Sequence, residues 1–241
     1  MELAKQLAKL GTETAFSVSL KAADWASQGH KVYPFHLGDI NLATPENIIE
    51  AAKKALADGH TGYCPGAGIP ELRAAIARDV GLKRGLSYSA ENVSIQPGGK
   101  PVIGKFISTV MNPGDEVLYP NPGYPIYESQ IEYQNGIAIP YGYTETEKGF
   151  TLDIEAMESR ISDKTTALIY NNYQNPNGAQ STREEMEKVA ELALKHDLWV
   201  LADDAYYEIQ YGGSPISIAN LPGMQERTVI LYTCSKRFAM T

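Results

Sequence analysis

The 241-residue chain is 43% hydrophobic and 21% charged, a balance that excludes wholesale disorder and suits one large α/β domain or two small ones. Its formal net charge of −8 argues against non-specific nucleic-acid binding, which needs a basic surface. Cys64 and Cys234 are too far apart in sequence for a disulfide framework, no apolar run approaches a membrane span, and MELAKQLAKLGTETAF lacks signal-peptide features, so a cytoplasmic protein is expected.

Residues 1 to 34 read as a helical opening that stops near Gly29, followed by the β-like Lys31-Val32-Tyr33-Pro34. A loop from His36 to Ala43 leads to Thr44-Pro45, read as N-cap and first helical position. That helix puts Ile48, Ala52, Ala55 and Leu56 on one face and stops at Gly59. The turn-rich Thr61 to Gly68 precedes a second helix, opened by Pro70, with Leu72, Ile76 and Val80 on its apolar side.

From Val93 the rhythm is strand, loop, helix, repeated. Strands are predicted over 93–96, 116–119, 137–139, 167–170, 199–202 and 229–232. Helical spacing shows in Val102, Ile103, Phe106, Ile107 and Val110, and again in Ile154, Met157 and Ile161. A third such helix starts with a capping box, Thr182 to Glu185, ahead of Met186, Val189, Ala190 and Ala193. The alternation predicts an α/β fold, a mostly parallel sheet with helices on both faces.

Ligands in such sheets bind at the carboxyl ends of the strands. There lie Gly98-Gly99-Lys100, Pro122-Gly123-Tyr124, Asn175-Pro176, Asp203 with Tyr206, and Lys236. Each has two readings. Gly98-Gly99 is a tight turn or an anion site at a helix start, without the spacing of a nucleotide P-loop. Tyr124 is a loop aromatic or a platform for a planar ring, and Asn175 is a turn former or a ligand contact. Lys236 is a snorkelling charge or a nucleophilic amine. Asp203-Asp204, at a buried strand end, is costly unless it meets a cation or strong donors, and a metal or a protonated heterocycle would answer that need. The four histidines are scattered and the carboxylates follow no metal-ligand spacing. Lysine, carboxylate, aromatic and phosphate-binding helix start together describe a pyridoxal phosphate site.

From about Lys31 to Thr241 the chain resembles the class I/II, fold-type I pyridoxal-phosphate aminotransferases. The resemblance rests on Thr233-Cys234-Ser235-Lys236-Arg237-Phe238-Ala239-Met240-Thr241 and Asp203-Asp204-Ala205-Tyr206, supported by Asn175-Pro176-Asn177-Gly178, Pro113 to Val117, Tyr63 to Gly68 and Leu72-Arg73. It implies a three-layer α/β/α unit and a transaminase moving an amino group between an L-amino acid and a 2-oxo acid through a Schiff base at Lys236. Asp203 would pair with the ring nitrogen, Tyr206 and Asn175 with the ring's phenolic oxygen, and Tyr124 would stack on the ring. Gly99, Lys100, Thr233 and Ser235 would hold the phosphate. Tyr63 would reach the phosphate of a partner subunit, which implies a homodimer, and Gly38 would contact the substrate carboxylate. No metal, nucleic acid or membrane is implied.

The chain departs from the family pattern in the substrate loop, where Ile40 replaces a proline and Asn41 and Leu42 also differ, and mildly at Asn177. It also reaches Thr241 before the family's Gly-x-Arg, its antiparallel seventh strand and most of its small domain. A C-terminally truncated chain is therefore expected, with residues 1–45 as an N-terminal arm and part of the small domain and 46–241 as an incomplete cofactor-binding domain. Alternatives sharing the same residues are a C–S β-lyase, a cyclopropane-forming synthase, or a cofactor-binding module inactive by itself.

Overall fold

The computed structural model describes residues 2–11, 14–35, 38, 40–147 and 149–241. After a short 3-10 helix at Lys5–Lys9 come two α-helices, α1 (Thr14–Ser27) and α2 (Glu46–Ala57), and α2 buries none of its residues. Pro45, not Thr44, occupies the cap position of α2, and its carbonyl accepts the Ile48 N–H at 2.9 Å. The Thr44 hydroxyl instead donates to the Ala239 carbonyl, 2.6 Å away, tying this loop to the far end of the chain. α3 (Pro70–Arg84) starts with proline in its first turn, and Gly85 closes it with a left-handed φ of 66°. Its inward face carries Ala77, Val80, Gly81 and Arg84; Leu72, expected there, stays 41% exposed.

Residues 93–96, expected as the first strand, join no sheet. Val93 is extended, but the segment's tie to the body is the Ile95 N–H donating to the Ala67 carbonyl at 2.9 Å. Extended dihedrals suit Val93 and Ile95, yet a strand also needs a partner, and among the described residues none pairs with it. α4 (Gly99–Val110) follows, burying Ile103, Phe106 and Ile107.

The strand–helix rhythm then builds the domain: β1 (Glu116–Pro120), α5 (Ile126–Tyr133), β2 (Ile137–Tyr141), β3 (Tyr143–Thr146), β4 (Gly149–Leu152), α6 (Ile154–Ser159), β5 (Thr165–Tyr170), α7 (Arg183–Lys195), β6 (Trp199–Asp203), β7 (Thr228–Leu231) and the short α8 (Cys234–Arg237). β3 and β4 pair as an antiparallel hairpin that the sequence reading did not foresee. Its residues are mostly exposed, so no long apolar run marked it. The capping box ahead of α7 is present as expected: Thr182 Oγ1 accepts the Glu185 N–H, and Glu185 accepts the Thr182 N–H.

β2, β1, β5, β6 and β7 lie side by side in that order, every pair parallel. Their side chains alternate between two layers, as strand geometry requires. Leu118, Leu168, Tyr170, Val200 and Ala202 face Met186, Val189 and Ala193 of α7. Val117, Ala167, Ile169, Leu201 and Leu231 face Ile103 and Ile107 of α4 and Ile131 of α5. The result is the expected α/β/α arrangement, with all five strands delivering their carboxyl ends to one edge. Among the described residues no helix is long and apolar enough to cross a membrane.

Candidate active site

Three neighbouring strand ends carry most of the chemistry. Asp203 is the last residue of β6 and lies opposite Leu231 of β7; the Asp204 N–H donates to the Leu231 carbonyl at 3.0 Å. The Asp203 backbone is held from the β5 side as well, where Asn171 Nδ2 donates to its carbonyl at 2.9 Å. Its carboxylate is therefore fixed in a buried position between two parallel neighbours.

The two adjacent aspartates have different partners. Asp204 accepts two hydrogen bonds from Arg84, from Nε at 2.9 Å and from Nη2 at 2.8 Å, and that guanidinium lies over the Tyr207 ring, 3.8 Å from its centroid. Burial nevertheless raises the Asp204 carboxyl to about 6. Asp203 accepts from the Tyr127 hydroxyl at 2.5 Å and from the Ala205 N–H at 3.1 Å. Burial pushes its carboxyl up, and those two donors pull it back. Both donors are neutral, so the charge of Asp203 is hydrogen-bonded but not balanced. A buried carboxylate in that state fits a cationic ligand atom.

Lys236 sits in α8, where the Thr233 hydroxyl caps the turn by accepting the Ser235 N–H at 3.1 Å. Its Nζ donates to the Gly38 carbonyl at 2.8 Å and stands 5.8 Å from the centroid of the Tyr206 ring. Burial, and next the charge of Asp203, raise the Tyr206 hydroxyl above its ordinary value. Lys236, Tyr206, Asp203 and Gly38 are thus brought together from three separate stretches of sequence.

On the α4 side, Gly98 takes a left-handed φ of 95°, and no side chain caps the helix that follows. A Cβ on Gly98 would meet open space, and one on Gly99 would lie 3.3 Å from Leu231 Cδ2, so the start of α4 abuts the end of β7. The first turn of a helix points its N–H groups outward, and here that turn begins at Gly99 and Lys100. Tyr124 packs edge-on to Tyr127, with centroids 5.7 Å apart at 85°. The Asn175 N–H donates to Asn171 Oδ1 at 3.1 Å, linking its loop to the residue that holds Asp203. Tyr63 is fully exposed, and no hydrogen bond ties it to this cluster among the described residues.

A family model described as aminotransferase class I and II matches residues 31–241. The chain belongs to that family. It is 33% identical over 239 residues to the aspartate/prephenate aminotransferase of Thermus thermophilus, covering 99% of this chain and 61% of that one. It is 31% identical to the aspartate aminotransferase of Bacillus subtilis, covering 100% and 62%. Among solved structures, the Thermus thermophilus aspartate aminotransferase with maleate superposes with a TM-score of 0.94 at 32% identity, over 100% of this chain and 62% of that one. Alanine aminotransferase from Pyrococcus furiosus gives 0.90 at 27% identity, over 98% and 60%. The chain thus spans about three-fifths of the length of these relatives.

Several residues around the aspartate pair are not marked by any local sequence pattern. Tyr127, Asn171 and Arg84 each contact the Asp203-Asp204 pair, and the sequence separations, 76, 32 and 120 residues, explain why. Arg237, next to Lys236, bonds Asp79 of α3 at 2.5 Å and Glu208 at 2.9 Å, anchoring the lysine's turn to that helix. The one available signal was Tyr127 standing three residues after Tyr124. That spacing fits the turn that leads into α5, in which the Tyr127 N–H donates to the Tyr124 carbonyl.

Proposed function

We propose that this chain binds pyridoxal 5′-phosphate at the carboxyl edge of its sheet and serves transamination between an L-amino acid and a 2-oxo acid. The observation that carries the reading is Asp203, fully enclosed yet met by neutral donors, beside an Asp204 that has taken the nearby arginine. When bound, the cofactor supplies an electrophilic carbon for the amine and a protonated ring that draws electrons from the substrate's Cα.

Lys236 would hold the group through its amine and, once released, take and return the proton at the substrate Cα. Asp203 would hold the proton on the ring nitrogen, because a carboxylate beside it favours the charged ring. Tyr206 and Asn175 would bond the phenolic oxygen, and Tyr124 would cover a ring face, keeping water away. The amides of Gly99 and Lys100, with the Thr233 and Ser235 hydroxyls, would take the phosphate. Gly38, whose carbonyl accepts from Lys236 Nζ, would contact the substrate carboxylate through its backbone amide.

A second copy of the chain belongs to this reading. Tyr63 is fully exposed and α2 buries none of its residues, with Leu56 66% exposed, which suits a helix and a tyrosine facing a partner. Residues 1–45 would form the arm and 46–241 the cofactor-binding unit. The test supplies pyridoxal phosphate, L-aspartate, named as donor by the relatives, and 2-oxoglutarate. Glutamate formation that requires the 2-oxo acid is expected. Ammonia release without any 2-oxo acid would point to lyase chemistry instead.

A further inference from the structure

Tyr127 and Asp203 form a buried hydrogen bond at the site. The tyrosine is 1% exposed and the aspartate 5%, and their oxygens are 2.5 Å apart. A hydroxyl–carboxylate bond that short belongs to the strong, charge-assisted class. Tyr127 reaches Asp203 from the first turn of α5, where its N–H also donates to the Tyr124 carbonyl at 3.1 Å. The ring of the same residue braces Tyr124 edge-on.

The other ionisable groups facing Asp203 are Asp204, whose charge Arg84 meets, and Tyr206 in the following turn. Neither donates a hydrogen bond to it. Burial and the charge of Asp203 hold the Tyr127 phenol well above its ordinary value, so it stays a neutral donor. Without that donor, a carboxyl this enclosed gains most by taking up a proton, and a neutral acid cannot balance a cation.

We propose that Tyr127 is the positioning residue for Asp203, its hydroxyl holding the buried carboxylate ionised in one orientation while its ring braces Tyr124. The proposal rests on reading Asp203 as the partner of the ring nitrogen, and its test separates the two. The cofactor-free chain, labelled with 13Cγ-aspartate, is titrated by NMR, with Asp203→Asn assigning the signal. Tyr127→Phe, which keeps the ring and removes only the hydroxyl, should raise the Asp203 midpoint by about one pH unit or more. The dissociation constant of pyridoxal phosphate at neutral pH should rise about tenfold, since the group then meets a partly protonated carboxyl.

A chain carrying 3-fluorotyrosine at position 127, a stronger donor of nearly the same shape, should lower the midpoint; it carries the test if Tyr127→Phe fails to fold. A midpoint unmoved by either change would overturn the proposal even if the cofactor binds. A midpoint that moves in a chain that binds no pyridoxal phosphate would keep the Tyr127–Asp203 coupling and remove the cofactor reading.

Discussion

Arg84 closes on Asp204 with two hydrogen bonds, at 2.9 and 2.8 Å, while Asp203, one residue earlier on the same strand end, meets the Tyr127 hydroxyl and the Ala205 N–H. One carboxylate is neutralised from within the fold and the other meets only neutral donors. The division follows from strand geometry, since successive residues point to opposite sides of the sheet.

Arg84→Met should therefore destabilise the fold by about 3–5 kcal/mol, because it strands a buried carboxylate without its cation. The pH dependence has a definite sign. Burial pushes the Asp204 carboxyl up to about 6 in the folded chain, against roughly 3.9 for an unfolded aspartate. The folded state binds that proton more tightly, so this group's contribution is complete below about pH 4 and is lost as pH rises through about 6. Removing the guanidinium raises the folded carboxyl further, so the decline should extend to higher pH in the variant. Urea unfolding from pH 5 to 8 checks this; parallel curves for the two proteins would refute it.

Asp203→Asn is expected to leave folding nearly unchanged, since the amide has the same shape. Amine transfer should fall about a hundredfold or more, because a neutral group no longer stabilises the charged ring. Cofactor affinity should fall less. Equal turnover in the two proteins would remove Asp203 from its assigned role.

Gly123→Ala should disrupt the approach to Tyr124. A Cβ there would strike the Pro120 carbonyl oxygen, which belongs to the backbone and cannot swing aside. Gly142→Ala, at the end of the neighbouring strand β2, meets Asn121 O at an ordinary 3.9 Å. Pyridoxal phosphate titrations should show affinity reduced about tenfold or more for the first and unaltered for the second. Equal affinities would show that the turn does not position Tyr124.

Local chemistry made the sheet legible in the sequence. β1, β5 and β6 are nearly continuous apolar runs, and Gly123 after β1, Asn175 after β5, Asp203 at the end of β6 and Lys236 after β7 stand where strand ends must converge. Two parts were not legible, for different reasons. Residues 93–96 have the composition of a strand, but strand formation depends on a neighbour, which no local pattern encodes. The hairpin of β3 and β4 lacks a buried apolar run, so its Thr144, Thr146 and Thr151 resemble a polar loop. At the site, the residues named from the sequence were those next to strand ends. Tyr127, Asn171 and Arg84, which govern how the aspartates behave, come from elsewhere in the chain and are recognised only by distance.

The central claim is that Lys236 carries the cofactor. Its Nζ is 2.8 Å from the Gly38 carbonyl and 5.8 Å from the Tyr206 ring centroid, accessible from the edge where Asp203 waits. The direct measurement is to mix the chain with pyridoxal phosphate, reduce with borohydride, digest, and map the added mass by peptide mass spectrometry. The mass is expected on the peptide containing Lys236, at one group per chain, and absent from that peptide in Lys236→Ala. Label spread over surface lysines, with none enriched at Lys236, would contradict the claim.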